Sequence, residues 1–110
     1  MGKYKGKYKI SDLAYQQHER FCKRYNELKT ELRNPSNTEQ RAEQLKNRLS
    51  MIEQTAIEAA GGDYQALLHN ITTGISYDQM AACGIIIEGG GRNYFYEELR
   101  RKFFWLLEFK

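Results

Sequence analysis

His18 and Cys22 stand four residues apart, the spacing at which an imidazole and a thiol meet on one helix face. Such a pair is the beginning of a nucleophilic site. A working nucleophile also needs a group to orient its base and a place for substrate, and nothing around this pair supplies either. The other cysteine and histidine, Cys83 and His69, are distant in sequence, and no Cys-x-x-Cys or His/Cys ligand spacing is present. Gly89-Gly90-Gly91 lacks the lysine and the strand–glycine–helix context of a phosphate loop, and reads as a flexible turn. The expectation is therefore a non-enzyme: no catalytic residue, metal site, cofactor or small-molecule substrate. His18 and Cys22 are then interface-packing and buried apolar side chains respectively.

The chemistry that remains is cationic and aromatic. Lys3, Lys5, Lys7 and Lys9 alternate with Tyr4, Gly6 and Tyr8, with no acid among them. Lysines of this kind release counterions from a phosphate backbone, and tyrosines between them stack or hydrogen-bond. Two other readings of this arm stay open: a solvated terminus, or an edge strand pairing with Ile85–Ile87, because alternation at period two is a strand signal. A second cluster comprises Arg92, Tyr94, Arg100, Arg101 and Lys102. Residues 91–110 hold five cations against three carboxylates, whereas residues 61–90 hold three carboxylates and no Lys or Arg. Base is thus concentrated at the two ends of a chain whose net charge is +3 and whose pI is about 8.9. That is a weak nucleic-acid footprint. Phe95, Trp105 and Phe109 fall off the apolar stripe of the last helix, where an oligomer or partner contact would use them.

Helices must position these groups. Ser11 caps a first helix whose Ala14, His18, Phe21, Tyr25, Leu28 and Leu32 follow heptad steps. Pro35 ends it. Ser36 with Glu39 forms a capping box for a second helix, carrying Ala42, Leu45, Leu49, Ile52, Ala56 and Ala59. Two such seams joined by a short loop predict a long antiparallel, coiled-coil-like hairpin, with Ala56 and Ala59 beside Ala14 and His18. Gly61-Gly62 breaks the second helix, and Asp63 caps a short third one ending near Gly74. Ser76 and Gln79 form another capping box, and Gly84 suits a left-handed C-terminal cap. Asn93 caps a final helix to Lys110, with Tyr96, Leu99, Phe103, Leu106 and Leu107 on its stripe.

The run Gly91-Arg92-Asn93-Tyr94-Phe95-Tyr96-Glu97-Glu98-Leu99-Arg100-Arg101-Lys102-Phe103-Phe104, preceded by Ile75 to Ala81, resembles the C-terminal end of small proteins carried by phages and conjugative elements of Gram-positive bacteria. Some of those are helix-turn-helix or sigma-like regulators. The resemblance covers about a third of the chain, and it implies a DNA-binding regulator. The connection from Gly84 to Arg92 is longer than the usual three- or four-residue turn, and suits a wing or open loop.

The expected architecture is all-α and one compact domain overall: a basic arm (residues 1–9), an antiparallel helical hairpin (10–60), and a helix-turn-helix-like unit with a long C-terminal amphipathic helix (61–110). One function is DNA-binding regulation of a phage or mobile element. It uses Lys3, Lys5, Lys7, Lys9, Arg92, Tyr94, Arg100, Arg101 and Lys102, mostly on phosphates. The alternative is a non-enzymatic interaction or scaffold module that oligomerises through its helices, with Phe95, Trp105 and Phe109 at the contact. Narrow seams on a small chain favour a homodimer. No apolar run approaches the roughly 20 residues of a membrane span. No apolar leader follows the charged N-terminus, and two unpaired cysteines suit a reducing cytoplasm.

Overall fold

In the computed structural model, which describes residues 7–85, 87 and 90–110, helices form throughout and, among those residues, no strand. The elements are α1 (Asp12–Lys23), α2 (Tyr25–Leu32), α3 (Glu39–Ala60), a 3-10 turn (Gly61–Asp63), α4 (Tyr64–Thr73), α5 (Tyr77–Ala82), α6 (Arg92–Tyr94), a π-helical stretch (Phe95–Arg100) and α7 (Arg101–Glu108). None of these helices is long and apolar enough to cross a membrane.

Several ends follow local chemistry read from the sequence. The Ser11 hydroxyl accepts the Ala14 amide at 3.2 Å. Ser76 and Gln79 close a full capping box, with reciprocal bonds of 3.1 and 2.9 Å. Gly84 ends α5 with φ 83°. The Ile85 amide reaches the Met80 carbonyl and the Gly84 amide the Ala81 carbonyl, the bond pair of a Schellman cap. A Cβ at Gly84 meets nothing within 4 Å, so the cost of a side chain there is purely conformational. Gly84→Ala is expected to lose about 1 kcal/mol, seen as a lower urea midpoint with an unchanged slope.

Other ends depart from the reading. Thr38, not Ser36, caps α3, accepting the Arg41 amide at 3.1 Å. Ser36 is occupied by Asn34, whose side-chain oxygen accepts both its amide (3.0 Å) and its hydroxyl (2.6 Å). This Asx turn around Pro35 outcompetes a cap. Asp63 makes no side-chain cap, because the 3-10 turn runs straight into α4 and the chain never takes the extended conformation a cap requires. Asn93 lies inside α6, and the extended residue before that helix is Gly91.

The larger correction concerns the hairpin. The first helix breaks at Arg24, whose amide closes a short turn on the Phe21 carbonyl. Only α2 follows α3. Its far end pairs Glu31 with Arg41, and its near end gives Tyr25 to Glu53 at 2.7 Å. The α1 segment packs instead on α4 and α7. His18 meets Glu108 at 2.6 Å in place of the small end of α3. The predicted α3 seam is buried except for half-buried Ala42, with Thr55 added. The core draws on every helical segment except the 3-10 turn and α6: Cys22, Leu28, Leu45, Ile52, Leu67, Met80, Leu99 and Phe103 belong to one cluster.

Candidate nucleic-acid interface

The last helix divides the predicted contacts by the way it winds. Its π-helical stretch has wider turns than an α-helix. Phe95 and Leu99 therefore come onto the face that also buries Phe103, Phe104 and Leu107. Phe95 is fully buried, with its ring against Tyr77 and Tyr96. It belongs to the core of its own chain and presents no surface to a partner.

Arg100 is the second residue the fold takes inward, its side chain only 13% exposed. Its Nε donates to Asn70 Oδ1 at 2.9 Å, one terminal nitrogen donates to Glu19 Oε2 at 2.7 Å, and the other donates to the Tyr15 hydroxyl. The guanidinium also lies over the Phe104 and Tyr15 rings. It thereby ties α1 and α4 to the last helix. Burial pushes the Tyr15 phenol up, with the neighbouring Arg100 charge acting the other way. Cys22, buried beside this cluster, is pushed up to about 12 by desolvation, so its thiol stays protonated and unreactive at neutral pH. Arg100 therefore binds within its own chain and leaves the set of phosphate contacts.

Arg92 and Tyr94 occupy the start of the helix. Arg92 is exposed, with Asp78 at 3.9 Å, and Tyr94 is 39% exposed. The loop closes tightly over that tyrosine: Gly90 has φ 149°, and a Cβ on it would fall 2.8 Å from Tyr94 Cγ. Helical rise separates this end from residues 101–102 by on the order of 14 Å.

Three of the predicted cations, Lys7, Arg101 and Lys102, meet one residue, Tyr8. The arm neither pairs as a strand nor leaves the protein where it is described. Tyr8 is buried, its ring 5.4 Å from that of Trp105. Arg101 Nε donates to the Tyr8 carbonyl at 3.1 Å. Lys7 Nζ lies 5.1 Å and Lys102 Nζ 5.9 Å from the centre of the same Tyr8 ring. Lys9 is exposed one residue on. Among the described residues no ion pair involves Lys7, Lys9 or Lys102. Lys3, Lys5 and Ile86 lie outside the described residues. Trp105 is half-buried between Tyr8 and Phe109, and Phe109 is 72% exposed.

The sequence reading missed Tyr8 as a docking residue and Tyr15, Glu19 and Asn70 as partners of Arg100. Tyr15 and Glu19 are four apart, a signal that they share a face. Asn70 lies 30 residues from Arg100, so no local spacing connects the two. A cavity of about 320 Å³ lies between α2 and α4, lined by Tyr25, Lys29, His69 and Thr72. Its Tyr25 hydroxyl is held by Glu53 and its Thr72 hydroxyl by the Leu68 carbonyl. Among the described residues no three His, Cys, Asp or Glu side chains are grouped to hold a metal. In comparisons with known proteins the chain matches no family model, no curated protein and no solved structure.

Proposed function

We propose that this protein binds DNA, mostly through its phosphates, at the surface where the basic arm docks on the last helix. The observation that carries the reading is that Lys7 and Lys102 both lie against the Tyr8 ring while Arg101 holds the Tyr8 carbonyl, with Lys9 exposed one residue on. Like charges held together cost free energy. A polyanion offsets that cost and releases its counterions on binding. Arg92 supplies a second, weaker point of attachment at the other end of the helix. The resemblance to regulators of phages and conjugative elements is in keeping with this role.

Duplex reading by a helix-turn-helix finds less support. The tight turn of Gly74, Ile75 and Ser76 joins α4 to α5, and α5 carries Asp78 and no cation. Phosphate contact, not base reading in a groove, is the binding mode.

The test is a binding titration against generic DNA at several salt concentrations, with the mass in solution recorded. Replacing Lys7, Lys9 and Lys102 together by alanine is expected to weaken binding on the order of 100-fold at low salt, and to reduce the salt slope by roughly 2 to 3. Unchanged affinity and slope would remove the reading. A stable oligomer that binds no DNA at low salt would favour the interaction-module alternative, with exposed Phe109 as its anchor.

A further inference from the structure

Phosphate contact alone leaves an aromatic row unexplained. Tyr8, Trp105 and Phe109 stand in sequence, with ring centres 5.4 and 5.0 Å apart, each pair edge to face. Tyr8 is the buried base of the row, Trp105 is half-buried, and Phe109 is exposed at its outer end. The cations stand at the inner end: Lys7 and Lys102 over Tyr8, with Lys9 exposed one residue further along the chain. Two carboxylates near the outer end, Glu108 beside Phe109 in sequence and Glu58 against Lys110, each have a partner. Glu108 holds His18 at 2.6 Å, and Lys110 neutralises Glu58 at 2.8 Å. An exposed aromatic face bordered by unpaired lysines is complementary to an unstacked base on a phosphate chain.

From this row, and resting on the reading above, we infer that the ligand is single-stranded DNA. The phosphates run along Lys7, Lys9 and Lys102, and a base stacks on Phe109 and the open side of Trp105. A duplex hides its base faces and offers this row nothing to stack on. A single strand presents both partners together. Stacking of this kind depends on a π-face and not on base identity, so the preference is for strandedness over sequence.

Trp105 is the sole tryptophan of the chain, so its fluorescence reports the row directly. The experiment titrates the full chain with oligo-dT and with a duplex of equal length at one low salt concentration. Oligo-dT is expected to bind about ten-fold more tightly than the duplex and to quench Trp105. Phe109→Leu, which keeps apolar bulk and loses the ring, is expected to cost oligo-dT binding on the order of ten-fold, within the range for one stacked base, with the salt slope unchanged. Phe109→Tyr is expected to retain it. Phe109 is exposed, so these variants fold. Equal or tighter duplex binding, or no quenching together with an inert Phe109→Leu, would overturn the inference while leaving phosphate contact at Lys7, Lys9 and Lys102 standing. Absence of binding to either DNA would overturn both.

Discussion

Arg100→Met is expected to destabilise the fold by about 2–3 kcal/mol while leaving DNA affinity of the folded protein within two-fold. The guanidinium satisfies Asn70, Glu19 and Tyr15 at once. Methionine fills part of the same space but strands a carboxylate and an amide oxygen. Removing one partner from a fully buried charged pair costs about 3–5 kcal/mol. The Glu19 side chain is 30% exposed, so water recovers some of that loss and the estimate falls. Arg100→Lys should recover little, because an ammonium cannot reproduce a planar fork aimed at three acceptors. Urea unfolding gives the stability, and titration well below the midpoint gives the affinity. A loss under about 0.5 kcal/mol would show the cluster to be incidental. Weakened DNA binding by a stable variant would return Arg100 to the interface.

Phe104→Ala is expected to cost about 3–5 kcal/mol, as for other buried aromatics. Phe104 is fully buried. Its ring packs against Tyr15 at 4.6 Å and Phe103 at 5.2 Å, and the Arg100 guanidinium sits 5.1 Å from its centre. Phe109→Ala, five residues onward, should stay within about 0.5 kcal/mol because its ring is mostly in water. The contrast separates an aromatic that builds the protein from one that is available to a ligand. Because Arg100 and Phe104 touch, their losses should not add, and a double-mutant cycle should return a coupling of about 0.5–1.5 kcal/mol. Strict additivity would mean that the guanidinium and the ring act independently.

Several features were legible in the residues alone. Helix periodicity and the absence of strand-like blocks outside the arm and Ile85–Ile87 gave the all-helical class. The Ser11 cap, the Ser76–Gln79 box and the Gly84 terminus depend on residues within one turn of each other, so local sequence suffices for them. The α3 seam was legible because one long, uninterrupted helix keeps a single period. Its neighbours did not. The break at Arg24 carries no proline or glycine to announce it, and it follows from α1 finding better partners in α4 and α7 than in α3.

The site divided along the same line. Which residues carry positive charge and which are aromatic is a property of the sequence. Which of them face water depends on the winding of the last helix and on what lies across from it. A reading at 3.6 residues per turn put Phe95 outside and left Arg100 free. The π-helical stretch turns Phe95 inward, and Tyr15, Glu19 and Asn70, distant in sequence, claim Arg100. The same long-range packing brings Tyr8 onto Trp105 and sets Lys7 and Lys102, separated by nearly the whole chain, against the same Tyr8 ring. By itself the sequence determined the helices, their local ends and the presence of cationic and aromatic groups. Only the tertiary structure decided which of those groups were spent in the core and which were gathered on one surface, because burial and proximity across the chain are set by packing between elements and not by spacing within them.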